Sequence, residues 1–380
     1  MDHALEKEKP PRKKKKPMNI MQAVLYALFF VLVWATVNQY RLFGLEVVVH
    51  TVLVWGLASV AAWLTHLVFY AVSDWWEKKE FESFGQRLLA NQKKIKRNVP
   101  FITATILAMR FRLGTPLFVV VIAAVLAELI GKLIWGGFGK NRVNPVAVGF
   151  LLTDLLFERF NQMPVAVGAL PVAVDGITAA TPLSVIAQGG WHWSSGQAAH
   201  FRETFGSWWD LLLGQVPAPT SEMARLAVLI AFAFLVYKKA LDVWVPLLFV
   251  FTLFFGALVV GVFHGFVLSY PLYHVLTGGA LFGAVFMATD PVTIPKNKLG
   301  RKLFAVLLGV LTLSIRIGSL RFLEGMMLAL VVLNLLTPWI NEKAISLSKA
   351  NKHIQNGVLG AVFLIGIAFV LAVSVLNGVA

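Results

Sequence analysis

The chain has 380 residues, 58% of them hydrophobic, and a mean hydropathy of +0.74, values that exclude an ordinary soluble enzyme and imply a membrane protein. It contains no cysteine, which excludes disulfides, thiol catalysis and thiolate-held iron–sulfur clusters. A formal charge of +15 would suit nucleic acid, but the Lys and Arg residues flank apolar runs, the pattern of membrane topology and not of polyanion binding.

The basic run Arg12-Lys13-Lys14-Lys15-Lys16 precedes an apolar stretch that starts near Met18. A cleaved signal peptide would need a shorter apolar core and a small-x-small cleavage site. The stretch therefore reads as an uncleaved first span behind a cytoplasmic tail. Further along, spans are predicted over 19–38, 46–72, 99–113, 116–136, 145–158, 226–240, 244–263, 274–290, 303–317, 322–340 and 355–378. Several are short and bounded by Gly or Pro, as broken or tilted helices around a site are. The Trp residues fit interfacial belts; Trp75, Trp76, Trp191, Trp193, Trp208 and Trp209 lie outside the apolar runs.

With the tail inside, the loop at 73–97 is inside and carries Lys78, Lys79, Arg87, Lys93, Lys94, Lys96 and Arg97. Lys140 and Arg142, Lys238 and Lys239, Lys296 to Lys302, and Lys343 to Lys352 follow on the same side. The long segment 158–225 falls outside with only Arg159, Arg202 and Arg225. The expected fold is an all-α polytopic membrane protein: ten core transmembrane helices in two inverted five-helix halves, plus one extra C-terminal helix. Its parts are a basic tail (1–17), a first half (18–158), an extracytoplasmic loop (159–225), a second half (226–341) and a linker with the extra helix (342–380). Thr105 to Arg110 before Gly114-Thr115-Pro116 is weakly echoed by Ala284 to Asp290 before Pro291, as an inverted repeat would require.

Within the outer loop lies Asp175-Gly176-Ile177-Thr178-Ala179-Ala180-Thr181-Pro182, small and turn-prone. An exposed threonine among small residues is what a modifying enzyme needs to reach. Pro182 restricts Thr181 to extended geometry and holds it out of a helix. Read without further context, the stretch is either an attachment site for a covalent cofactor or an Asp-Gly turn before a helix N-terminus.

Four stretches in order carry a resemblance. They are Asp175 to Thr181, similar to an Asp-x-x-Ser/Thr-x-Ala-Thr flavinylation motif; Gly139-Lys140-Asn141-Arg142-Val143-Asn144-Pro145; Phe286-Met287-Ala288-Thr289-Asp290-Pro291-Val292; and Glu324-Gly325-Met326-Met327-Leu328-Ala329. From about Met18 to Asn341 the chain resembles the NqrB/RnfD family, the flavin-carrying membrane subunit of Na⁺-translocating NADH:quinone oxidoreductase and of the Rnf complex. The resemblance implies FMN on Thr181 through a phosphoester, with Asp175 and Thr178 part of the motif, and a non-covalent riboflavin in the helix core. It also implies electron relay coupled to Na⁺ or H⁺ movement in a bacterial inner-membrane oxidoreductase complex of NADH:quinone or ferredoxin:NAD type. The other subunits, a flavin transferase, quinone and membrane lipid would be its partners, and nucleic acid would not. Thr181 would face the extracytoplasmic side and the N-terminus the cytoplasm.

The chain departs from that pattern at Asn341, where relatives usually carry an acid, and at Arg110 to Pro116, where they usually have a Pro-Pro turn. The final span lies beyond the resemblance. Ala180-Thr181-Pro182-Leu183 reads as Rnf-like, and Ala187-Gln188-Gly189-Gly190 and Glu324 to Met327 read as Nqr-like. A passive channel or transporter on the same inverted architecture, or a scaffold anchoring an electron-carrying partner, are the rival readings.

Ionisable residues inside spans are functional candidates, because burying a charge in lipid costs several kcal/mol. Asp290 in Thr-Asp-Pro offers hard oxygens to a cation or proton path, or caps a helix end. Glu128 gates a cation or pairs with Arg110. Asp154 reads as interfacial. Arg316 balances an anionic flavin or its phosphate, or snorkels to the interface. Asn144 before Pro145 either exposes backbone N–H groups to a second flavin or simply starts a helix. The histidines form no spacing suited to metal or haem.

Overall fold

A computed structural model describes residues 17–78, 83–157, 181–319, 322 and 324–379. Asp175, Thr178 and the basic run at 12–16 lie outside these residues. The described residues are helical and contain no strand. Among them, six helices are long and apolar enough to cross a membrane: Ile20–Phe43, Leu45–Trp76, Leu117–Trp135, Trp244–Phe263, Met326–Ser348 and Lys352–Leu376. The chain is an all-α polytopic membrane protein.

Helices α1 (Pro17–Phe43) and α2 (Leu45–Trp76) reverse at Gly44, whose φ of 81° suits a residue without Cβ. Then comes α3 (Phe84–Asn98), which is amphipathic and basic, so the loop expected at 73–97 is largely a helix. After it, α4 (Pro100–Arg110), α5 (Leu117–Leu129) and α6 (Pro145–Leu156) are short. At 1.5 Å per residue α4 is only about 16 Å long, half of a bilayer core. Pro100 and Pro145 open α4 and α6 at positions where no N–H is needed.

The described part of the long loop is also helical: α7 (Pro182–Gln188), α8 (Ser195–Phe205) and α9 (Trp208–Leu213). Trp191 and Trp193, expected at an interface, are buried, since they pack against His274 and against Phe201 and Tyr273. Trp75, Trp76 and Trp209 are exposed, as a belt requires.

The second half begins with α10 (Arg225–Tyr237) and α11 (Trp244–Phe263). The span expected over 274–290 is not one helix. It breaks into α12 (Tyr270–Leu276) and α13 (Ala280–Phe286) around Gly278 and Gly279, both at positive φ. Then α14 (Lys298–Gly318), α15 (Met326–Leu347) and α16 (Lys352–Leu376) complete the chain. Helix α2 packs on α4 and α5, α1 on α10, and α14 on α11, α15 and α16. Small residues let these helices approach: a Cβ on Gly366 of α16 would lie 2.4 Å from Val310 of α14.

Candidate functional site

Polar groups gather at both ends of α13. At its N-terminal end the broken span leaves backbone groups that lipid could not satisfy. Buried arginines satisfy them. Arg316 of α14 donates to the carbonyls of His274 at 2.5 Å, Thr277 at 3.1 Å and Gly278 at 3.5 Å, and through Nε to the carbonyl of Glu324 at 2.9 Å. Glu222 accepts the N–H of Gly278 at 3.0 Å and pairs with Arg225 at 3.1 Å. Arg225 also donates to the carbonyls of Leu211, at 2.7 Å, and Leu276.

Arg110, at the end of α4, is ion-paired with Glu324 and donates to Ser221 at 3.1 Å. Its guanidinium fills the space over Gly279, where a Cβ would sit 1.6 Å from Nη1. Among the described residues, three guanidiniums here face two carboxylates.

Thr181 caps α7 beside this cluster. Its φ and ψ of −76° and 155° are the extended geometry expected before Pro182, and its hydroxyl accepts the N–H of Ser184 at 3.3 Å. The residue is half-buried, not exposed as expected. Two residues on, Leu183 is buried, and its Cδ2 would lie 2.6 Å from a Cβ on Gly278, as would Nη2 of Arg316. The flavinylation-like stretch thus ends against the helix break.

Next to it is a buried set of rings with polar atoms that find no partner among the described residues: Nε1 of Trp191, Oη of Tyr270 and both ring nitrogens of His274. Trp191 stacks on His274 at 5.4 Å, and Tyr270 meets His274 edge-on at 4.5 Å. In the sequence His274 stands in no spacing that singles it out from the other histidines. Only the Gly278-Gly279 pair just after it signalled a break.

At the other end of α13 lies a cleft of about 90 Å³, lined by Asn141, Asn144, Lys132, Thr289, Asp290 and apolar side chains such as Phe138 and Phe286. The motifs around Asn144 and around Asp290, 146 residues apart in the chain, meet here. Asn144 caps α6, its Oδ1 accepting the N–H groups of Val146 at 3.0 Å and Ala147 at 3.3 Å. Its own N–H donates to Asn334 at 2.8 Å, and Asn334 donates onward to the carbonyl of Thr293 at 3.2 Å. Oδ1 of Asn141 is buried without a partner among the described residues. Asp290 accepts from the N–H of Val292 at 3.1 Å and from Thr293 Oγ1 at 3.2 Å, so it fastens its own turn while lining the cleft.

Glu128 does not pair with Arg110. It is buried against His66 at 2.7 Å and Lys132 at 2.9 Å. Lys132 Nζ is also held by Thr103 Oγ1 at 2.7 Å and the carbonyl of Asn98 at 3.1 Å. Asn341, where an acid was expected, accepts the N–H groups of Lys296 at 3.0 Å and Asn297 at 3.1 Å, a task an amide oxygen performs as well as a carboxylate.

Three relatives are described as a subunit of Na(+)-translocating NADH-quinone reductase. The protein from Chromohalobacter salexigens is 34% identical over 284 residues, covering 73% of this chain and 63% of its own length. That from Pseudomonas aeruginosa is 32% identical, covering 68% and 62%, and that from Pseudoalteromonas atlantica 30%, covering 67% and 62%. The chain thus spans a little under two thirds of the length of these curated relatives. Residues 10–347, including both clusters and α7, match the family described as NQR2, RnfD, RnfE, to which the chain belongs.

Proposed function

We propose that the chain is a membrane subunit of an ion-translocating redox complex of Nqr or Rnf type and that Thr181 carries FMN through a phosphoester. The observation that carries this reading is the placement of Thr181. It precedes a short helix whose Leu183 rests on the Gly278 turn, beside a buried cluster in which guanidiniums outnumber carboxylates among the described residues. A phosphodiester anion linked at Oγ1 fits that excess positive charge. The unpartnered nitrogens of His274 and Trp191 and the hydroxyl of Tyr270 fit a ring that both donates and accepts hydrogen bonds.

The cleft at the far end of α13 is the place for a second, non-covalent flavin, and at about 90 Å³ it must widen to admit one. Asn141 offers an unpaired buried oxygen there, and Phe138 and Phe286 offer apolar walls. Flavin, when bound, supplies one- and two-electron redox chemistry. The chain's residues position it. Arg316 and Glu222 lock the broken span, so the linking hydroxyl and the arginine cluster keep a fixed relation. Asn144 and Asn334 lock the cleft in the same way.

Sidedness follows from charge. Lys132, Asn144, Asp290, Lys298 and Arg301 share the end of the molecule to which the basic loops belong, and Thr181 lies at the other. The basic end then faces the cytoplasm and Thr181 the extracytoplasmic side, with the two halves inverted in the bilayer. Coupling to Na⁺ or H⁺ would involve Asp290, while Glu128, neutralised by Lys132, serves as a fixed part of the frame.

Fluorescence of the denatured chain under ultraviolet light, after expression with its flavin transferase, tests the covalent link. The wild-type chain and Thr181→Ser are expected to fluoresce, and Thr181→Ala to be dark. A fluorescent Thr181→Ala chain would remove Thr181 from the account, and a dark wild-type chain would favour a passive channel or transporter.

A further inference from the structure

We propose that the basic end carries a specific site for an anionic phospholipid, built between α11, α14 and the C-terminal helix α16. A cleft of about 670 Å³ opens there, lined by Lys239, Lys298, Arg301 and Lys302, with Asp242 as the one carboxylate among its described lining residues and Gln355 and Asn356 of α16 as its far wall. Four cationic side chains against one carboxylate form a phosphate-binding surface.

The first turns of α14 show that this charge is not there for the helix. Acids favour a helix N-terminus, yet this one has none in its first turn and places Lys298, Arg301 and Lys302 on one face at the positive end of its dipole. Asn297 already satisfies the N–H groups of Leu299 and Gly300. Three like charges therefore repel one another and the dipole, a local cost that a bound anion relieves. The geometry holds these cations in place: Arg301 is fastened to Asp242 at 3.1 Å and to the carbonyl of Pro295 at 3.0 Å, and Lys302 sits 5.0 Å from the Trp244 ring centre.

The level of the cleft selects a lipid over a soluble anion. Trp244 and Tyr237 beside it are exposed, as interfacial aromatics are. Below Trp244, α11 presents exposed Leu247, Phe251 and Phe255, and Phe251 and Phe255 meet Phe363 of α16 at 5.6 Å and 6.3 Å. A headgroup phosphate in the cleft leaves its acyl chains on this apolar wall. Helix α16 lies beyond residues 10–347, the part that matches the family, so the site belongs to the added helix and its contact with the core.

Native mass spectrometry of the detergent-purified full chain tests the site, with phosphatidylglycerol, phosphatidylcholine or inorganic phosphate added. One phosphatidylglycerol is expected to be retained, with little phosphatidylcholine and no phosphate adduct. Replacing Lys239, Lys298 and Lys302 together by Glu is expected to lower retention at least about tenfold, each cation near an anionic lipid contributing several-fold. Should that variant not fold, Lys298→Gln alone is expected to lower retention about threefold or more by the same measure. Glu at Lys96 and Arg97 on α3, basic but outside the cleft, is expected to leave retention unchanged. Equal retention of phosphatidylcholine, phosphate binding without lipid, or undiminished retention in the cleft variants would overturn the proposal.

Discussion

Arg316 donates to the carbonyl of Thr277, 39 residues earlier in the chain, at 3.1 Å, and in doing so closes the end of a helix that stops inside the membrane region. Its other donors reach the carbonyls of His274, Gly278 and Glu324. One planar fork thus ties α12, the break and the turn before α15 together. A lysine cannot replace it, because a single ammonium cannot span those acceptors. Arg316→Lys and Arg316→Met are both expected to destabilise the chain by about 3–5 kcal/mol, the range for breaking a buried ionic network. Thermal unfolding in detergent checks this. A Lys variant with wild-type stability would contradict it.

Gly279 and Gly325 are the second test of the break. Gly279 has φ +62° and Arg110 lies in the place of its Cβ; Gly325 has φ +66° and a Cβ there would approach the carbonyl of Thr312 to 2.3 Å. Alanine at either position is expected to cost more than about 2 kcal/mol, whereas alanine at Gly357, which has open space, is expected to cost under about 0.5 kcal/mol. The comparison of midpoints across the three variants carries the result.

Asn144 and Asn334 join α6 to α15 at the cleft through a 2.8 Å hydrogen bond. The donor is the backbone N–H of Asn144, so Asn334→Ala alone removes the bond and leaves a buried N–H without its acceptor; thermal unfolding is expected to show a loss of about 1–3 kcal/mol. An unchanged midpoint would show that the two helices are held by packing alone.

Outside the spans, Asp210 gives a pH dependence. The hydroxyl of Ser207 donates to it at 2.8 Å and the backbone N–H of Ser207 at 2.6 Å, and these bonds hold its carboxyl below the usual aspartate range. A lowered folded pKa stabilises above the unfolded value and loses that contribution as pH falls through the folded one. Protection of the α9 amides, taken relative to the unstructured exchange rate at the same pH, is therefore expected to fall on acidification below the usual aspartate pKa in the wild-type chain. In Asp210→Asn it is expected to show no such step.

The helical, membrane-spanning class was legible because long apolar runs report bilayer thickness directly. The extended geometry of Thr181 was legible because Pro182 enforces it locally. What escaped was long-range. Arg110 could be placed near a carboxylate, but nothing in its neighbourhood distinguished Glu324 from Glu128, since the choice depends on where two half-length helices end. The broken span at Gly278 hid within an apolar run that hydropathy alone cannot interrupt. Trp191 and Trp193 read as belt residues because polar neighbours surround them in the chain, while in space Tyr273 and His274 cover them.

Intact-mass measurement of the chain, purified after expression with its flavin transferase and followed by peptide mapping, tests the central claim most directly. The chain is expected to be heavier by one FMN less one water, with the added mass on the peptide containing Thr181 and absent from Thr181→Ala. A wild-type chain of unmodified mass, or an FMN mapped to any other residue, would contradict the account.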